Sequence, residues 1–379
     1  MDNQFFFAEH HEKLQERLTN FINQHRASLD LEREDEDQHA KEIICQLADA
    51  GLLKLVVPAS FGGEFEPPDV RSICLARERL CYISGLADLM FAMQGLGSYA
   101  ITLAGSEQQK QEYLPKVASG EYIAAFAITE PNAGSDTGSM QTTAIKDGDD
   151  YILNGTKRFI SNAGIASFYT LFAKTDPTLG NKGVSAFVVN ADTPGITIKK
   201  LKLISPHPIG ELTFNDCRIS SSQLLGEPGQ GFKLAMRVLD TFRASVGAMA
   251  LGMGTRALDE AISYAKNRIQ FNRPLSELQA TQFKLAEIAT ELDAARLLVY
   301  RAAWLKDQGG KITREAAMAK LFATESAQRA VDQAVQIHGG SGLVHGVITE
   351  RLYRDIRSTR IYEGTSEIQK IVIASQILK

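Results

Sequence analysis

The sequence predicts a mainly α protein with a small antiparallel β domain in the middle. Three observations predict this fold class. Apolar residues recur at helical spacing up to about residue 120. From Tyr122 the period changes to short β-rich runs separated by turn signals. From Gly229 long amphipathic runs return and continue to the end, the pattern of a four-helix bundle. The expected domains are an N-terminal helical domain (1–121), a β domain (122–226) and a C-terminal four-helix bundle (227–379).

In the first domain Leu14, Leu18, Phe21 and Ile22 mark one helix. A second runs from about Asp35 to Ala50 and stops at Gly51, a residue suited to the left-handed turn after a helix. Val56-Val57-Pro58 and Gly62-Gly63 form a loop. A third helix follows Asp69, a plausible N-cap. A largely apolar fourth spans about Leu86 to Ala104, and a fifth spans Glu107 to Val117. Strands are expected at 123–128, 142–145, 151–153, 168–172, 184–189 and 212–214, with turns at 147–150 and Asn154-Gly155. Six short strands at this spacing suggest a small antiparallel barrel or sandwich. The absence of βαβ alternation argues against a dinucleotide-binding α/β domain. Helices then follow at about 231–268, 276–307, 312–340 and 346–360, with a short one after Glu363.

Composition excludes several function classes. The 379 residues suggest two or three packed domains, and 44% apolar with 23% charged residues is ordinary for a globular protein. A net charge of −4 without a basic block argues against a nucleic-acid surface. Cys45, Cys74, Cys81 and Cys217 are scattered, so no metal site or disulfide framework is expected, and a reducing cytoplasm fits. Phe5-Phe6-Phe7 lacks a basic flank, so no signal peptide is read there. No apolar run reaches the ~20 residues of a membrane span.

The candidate for chemistry lies in Tyr362-Glu363-Gly364-Thr365. A basic helical segment precedes it, and Ser366 with Gln369 reads as a capping box opening the next helix. Glu363 therefore sits on a short turn between rigid elements, a good mount for a catalytic group. Taken alone, such a glutamate reads as a solvated turn residue. The rest of the chain changes that reading.

Phe126-Ala127-Ile128-Thr129-Glu130-Pro131-Asn132-Ala133-Gly134-Ser135-Asp136, the stretch Asn154 to Ala163, Arg268-Ile269-Gln270-Phe271, Gln336-Ile337-His338-Gly339-Gly340 and the Glu363 turn occur in this order. Together they resemble the acyl-CoA dehydrogenase family over essentially the whole chain. The resemblance implies a middle β-barrel between the helical domains, a homo-oligomer, usually a tetramer, and non-covalent FAD. The implied reaction is α,β-dehydrogenation of an acyl-CoA: a base takes the α proton and flavin N5 takes a β hydride. Electron-transfer flavoprotein is the implied acceptor.

The resemblance also assigns residues. Glu363 matches the base, with its own N–H among the donors to the thioester oxygen. Phe126, Ile128, Thr129, Ser135, Phe159 and Ser161 match flavin contacts, with Phe159 where tryptophan is commoner. Arg268, Gln270 and Phe271 match contacts to the pyrophosphate and adenosine of a neighbouring subunit's FAD. Gln336, Gly339 and Gly340 match the adenine end, and Thr365 matches an adenine- or pyrophosphate-side contact. His338 reads as structural. Ser135, Tyr362 and Gly364 match substrate contacts, and Arg243 matches an arginine supporting the base or touching acyl-CoA. Some relatives carry the base one residue before that arginine. Here that residue is Phe242, which accepts no proton. Asp88, on the helix matching the acyl-pocket wall, reads as a first-turn aspartate or as a carboxylate at the pocket floor favouring a short, cyclic or polar acyl group. The segment Ser205-Pro206-His207-Pro208 departs from the family's usual loop, which leaves CoA contacts there open. The alternatives are an oxygen-using oxidase, a flavin monooxygenase, which generally lacks the base, and a non-catalytic binding protein.

Overall fold

The described residues form two units, each assembled from stretches distant in sequence. A computed structural model describes residues 6–379; residues 1–5, and with them Phe5, lie outside it. One unit holds the described residues up to Leu31, Val70–Asp88 and Asp240–Lys379. The other holds Glu32–Asp69 and Leu89–Leu239.

The N-terminal helices are α1 (Glu9–Leu29), α2 (Glu36–Asp49), α3 (Val70–Ile83), α4 (Gly85–Ala104) and α5 (Glu107–Ala118). Asp35 caps α2 by accepting from the Gln38 amide, and Gly51 takes φ 68° just past its end. Helix α3 begins directly after Asp69. Its first amides at Val70 and Arg71 donate to Asp307, whose sequence distance hides it from local reading.

The strands are β1 (Ala124–Ala127), β2 (Thr143–Asp147), β3 (Asp150–Ser161), β4 (Phe168–Lys174), β5 (Val184–Asn190), β6 (Ile196–Lys200), β7 (Ile209–Ser220) and β8 (Leu224–Leu225). They order as β6-β7-β3-β2-β4-β5-β8, with β1 paired to β4. The domain is mainly antiparallel, as expected, with two parallel exceptions. β1 runs parallel to β4, and β2 meets β4 through a parallel pairing. Strands β3 and β7 are also longer than expected, and β6 and β8 are additional. The alternating residues of β3 and β7 bury Tyr151, Leu153, Phe214 and Ile219 in the sheet's core.

After α6 (Gly231–Asn267), a hairpin of β9 (Ile269–Gln270) and β10 (Arg273–Pro274) leads to α7 (Gln279–Asp307), α8 (Thr313–His338), α9 (Ile348–Ser358) and α10 (Ser366–Ile377). Their core is rich in alanine, which lets the helices approach closely. Gly252 of α6 shows how closely: a Cβ there would lie 2.3 Å from the Glu78 carbonyl of α3. The same helices hold a buried polar cluster, in which Glu78 accepts from Arg296 and Tyr300. Among the described residues no helix is long and apolar enough to cross a membrane.

Candidate active site

Glu363 sits in the left-handed region at φ 52°, followed by Gly364 at φ 91°. A non-glycine residue rarely adopts that conformation, so the turn must be held from outside. Lys320 of α8 and Gln369 of α10 both donate to the Gly364 carbonyl at 2.8 Å, and Gln369 also donates to the Glu363 carbonyl. A Cβ on Gly364 would meet the Gln369 amide nitrogen at 2.6 Å, so glycine is needed there. Glu325 accepts from Ser366 Oγ at 2.6 Å and Arg360 Nε at 2.8 Å, tying both flanks of the turn to α8.

The expected Ser366–Gln369 capping box is corrected by these contacts. Ser366 spends its hydroxyl on Glu325 and Gln369 spends its amide on the turn. Thr365 is the N-cap instead, accepting from the Ile368 amide. Its hydroxyl is thus engaged locally.

The carboxylate stands apart from these contacts. Glu363 Oε2 is buried and has no hydrogen-bond partner, and among the described residues the Glu363 N–H donates to no group. Burial raises the Glu363 pKa above its ordinary value; Arg77, Arg243 and Lys320 oppose that, and Asp88 adds to it. Lys320 is itself pushed down to about 8 by burial, against the pull of Glu363. Tyr362 is held by its hydroxyl, which donates to Met249 Sδ at 3.2 Å.

Arg243 is buried and paired to Asp240 at 2.5 Å, with its Nε unpartnered, and Phe242 beside it is fully buried. Asp88 is fully buried too, but it is not a bare carboxylate. Arg77 Nε and Nη2 donate to its two oxygens at 2.9 and 2.8 Å. That compensates the charge on which the pocket-floor idea rested.

In the same unit, Arg268 is exposed and has no side-chain partner among the described residues. Phe271 is 86% exposed at φ 54°, and Gln270 and Gln336 are exposed. Gly339 and Gly340 have open space where a Cβ would stand, so another molecule can approach their backbone closely. His338 Nδ1–H donates to the Ala334 carbonyl at 2.8 Å, and the ring stacks on Tyr264.

The β unit carries the other predicted residues. Phe126 is buried against Phe172, and Ile128 lies beside the half-buried Thr129. Their backbone is pinned. Lys157 Nζ donates to the Ile128 carbonyl at 3.1 Å, and the Arg158 amide donates to the Thr129 carbonyl at 2.8 Å. Lys157 is buried and pushed down to about 8, and Glu130 pairs with it at 2.8 Å. Phe159 stands at a register shift of β3 against β7, with φ 58° and half its surface exposed. Ser161 is 3.5 Å from His207 Nε2, and burial lowers the His207 pKa. Ser135 is exposed on a loop.

Sequence reasoning missed Arg77, Lys320, Lys157 and His207. A faint signal existed for two of them. Arg77 recurs with Ile73 and Cys81 on a buried face of α3, and Lys320 stands among Ala316, Ala317, Ala319 and Ala323. A charge inside an apolar helical stripe is the mark of a buried partner.

The family models for the N-terminal, middle and C-terminal domains of acyl-CoA dehydrogenases match residues 8–121, 125–217 and 229–378. The chain is 42% identical to the 3-(aryl)acrylate reductase of Clostridium sporogenes, over 99% of this chain and 100% of that one. The solved butyryl-CoA dehydrogenase of Megasphaera elsdenii superposes with a TM-score of 0.93 at 36% identity, over 98% and 99% of the two chains. A chain in a solved structure of the electron transferring flavoprotein of Acidaminococcus fermentans gives 0.93 at 38%, with the same coverage.

Proposed function

This chain belongs to the acyl-CoA dehydrogenase family, and we propose that it desaturates a short acyl-CoA thioester with Glu363 as the base. It is an oxidoreductase with FAD as cofactor, acting on acyl-CoA. The observation that carries the assignment of the base is the buried Glu363 oxygen without a partner, beside an N–H that is also unengaged.

The residues present fit FAD. Arg268 offers an unpaired guanidinium to a pyrophosphate. Phe271 offers an exposed ring to the adenosine, and Gly339 and Gly340, with Gln336 and Thr365, offer an open backbone to the adenine end. Phe126, Ile128, Thr129, Phe159 and Ser161, with Ser135 nearby, line the proposed flavin edge. Bound FAD supplies the acceptor for the hydride that leaves the β carbon. Everything else falls to the chain. Glu363 accepts the α proton, and its raised pKa makes it a stronger base toward a weak carbon acid. The Glu363 N–H is free to donate to the thioester oxygen as negative charge develops there. Lys320 and Gln369 keep the turn from relaxing, Arg243 supports it from α6, and Phe242, Tyr362 and Gly364 border the thioester.

A short acyl group is favoured by the likeness to butyryl-CoA dehydrogenase. We assign segments 1–121, 122–226 and 227–379 as the domains, electron-transfer flavoprotein as the acceptor, and a homo-oligomer, a tetramer, as the working form. A second reading is reduction of a 2-enoyl thioester, favoured by the likeness to a 3-(aryl)acrylate reductase. In that direction protonated Glu363 would deliver the proton it otherwise accepts.

The test is anaerobic bleaching of the visible flavin absorbance by straight, branched, cyclic and dicarboxylic acyl-CoAs, with Glu363→Gln alongside. Rapid bleaching by butyryl-CoA that is lost in the variant is expected. Bleaching that survives in the variant would place the base elsewhere. Oxidation of the reduced protein by an enoyl-CoA, without the forward reaction, would select the second reading.

A further inference from the structure

Beside the Glu363 turn lies a buried ion pair that the reaction scheme above does not use. Arg77 of α3 and Asp88 of α4 are 2% and 0% exposed. Both carboxylate oxygens of Asp88 accept from the guanidinium. The remaining amino group, Nη1, donates to Ser245 Oγ at 2.9 Å. Arg77 Nη2 also contacts Met249 Sδ at 3.4 Å, the same sulfur that accepts from the Tyr362 hydroxyl. Two donors from different elements thus converge on one thioether, and one of them belongs to the residue preceding Glu363.

An ion pair this buried needs a reason, since apolar residues of equal volume often serve stability as well. We infer that Arg77, locked by Asp88 and Ser245, is the positioning residue of the base: through Met249 and Tyr362 it fixes the turn, and it places a permanent positive charge beside the Glu363 carboxylate. This rests on the reading of Glu363 as base.

The charge arithmetic agrees with the geometry. Burial works against the Arg77 charge, but Asp88, with smaller help from Glu363 and Tyr362, keeps the guanidinium ionised. The charged groups acting on Glu363 come from four helices: Arg77 from α3, Asp88 from α4, Arg243 from α6 and Lys320 from α8. Arg77 is the largest influence lowering Glu363, against a burial effect that is larger still. Without it the carboxyl would stay protonated to higher pH, and less of the enzyme would carry a usable base.

The experiment follows α-proton exchange into D2O by the FAD-loaded protein against pH. The probe is 3-thiabutyryl-CoA, whose sulfur at the β position leaves no hydride to transfer. The exchange rate should rise with pH as Glu363 ionises. Arg77→Gln should move that rise upward by about one pH unit or more, the size of a lost neighbouring charge. Arg77→Lys, which keeps the charge, should move it by less than half as much. Should Arg77→Gln fail to fold, Arg77→Gln with Asp88→Asn removes both charges at nearly constant shape. The same upward direction, with a smaller shift, is expected because Asp88 opposes Arg77. An unshifted rise in variants that fold and hold FAD would overturn the inference, as would equal shifts in Arg77→Gln and Arg77→Lys. Exchange that persists in Glu363→Gln would instead overturn the reading of Glu363 as base.

Discussion

The two units of this chain each bury a glutamate near a lysine, and they treat the pair in opposite ways. In the β unit Glu130 accepts from Lys157 at 2.8 Å, from the Thr142 amide at 2.9 Å and from the Gln141 amide at 2.5 Å. Burial pushes its pKa up, but Lys157 and those amides outweigh it and hold Glu130 below its ordinary value. In the helical unit Lys320 reaches past the carboxylate to the Gly364 carbonyl, and Glu363 Oε2 is left without a partner. Its pKa is raised. Both lysines are pushed to about 8, so burial alone does not separate the two sites. Hydrogen bonding to the charged form does. A satisfied carboxylate holds structure in place, whereas an unsatisfied one keeps its lone pairs for a reacting proton.

The largest expected effect comes from removing the unsatisfied member. Glu363→Gln should slow anaerobic bleaching by about 10²- to 10⁴-fold, the usual weight of a positioned base. Its thermal midpoint should not fall, because the change deletes a buried carboxylate that lacks a hydrogen bond on Oε2. Next in size is the opposite site. Lys157→Met leaves Glu130 buried and unpaired, and should cost about 3–5 kcal/mol of stability in denaturant titration. Bleaching per folded, FAD-loaded molecule should fall far less than in Glu363→Gln. A Lys157 variant of ordinary stability would break the comparison.

Smaller is Lys320→Met, which removes a charge-assisted hydrogen bond worth about 1.5–3 kcal/mol from the strained turn. Bleaching should slow by roughly 10- to 100-fold, with FAD still bound. The smallest effect is in the pH dependence of stability, and the two glutamates should bend it in opposite directions. The stabilising contribution of Glu130, whose folded pKa lies below 4.5, is present above that pH. It is lost as pH falls through the folded value. Glu363 has a folded pKa above 4.5, so its contribution is full below that pH and is lost as pH rises through the folded value. Stability curves of Glu130→Gln should therefore be flatter than wild type on the acid side of 4.5, and those of Glu363→Gln should be flatter just above it.

The same contrast explains what could be read before the structure. The order helices, strands, helices was legible because burial imposes periods of 3.6 and 2 on the sequence. The Glu363 turn was legible because a glycine and the start of a helix bracket it. Pairings between distant segments were not. The parallel pairing of β1 with β4 and the capping of α3 by Asp307 leave no local trace. Strand β6 was missed because Lys199 and Lys200 are exposed and Ile198 faces solvent, so no apolar alternation marks it. The N-cap fell one residue early because Ser366 is drawn to Glu325, a partner 41 residues away. Arg77 and Lys320 were hidden for a related reason. A buried cation is intelligible only once its partner is in place, and for these two the partners are Asp88 on α4 and the Gly364 carbonyl on the Glu363 turn.

The measurement that tests the account most directly is an infrared pH titration of the carboxyl stretches in the FAD-loaded protein. Glu363→Gln and Glu130→Gln serve to assign the bands. The account predicts a protonated-carboxyl band that persists above pH 4.5 and is absent from Glu363→Gln, while the Glu130 band appears only below 4.5. A Glu363 band that titrates with Glu130 or below it would contradict the claim that a missing partner makes this carboxylate the base.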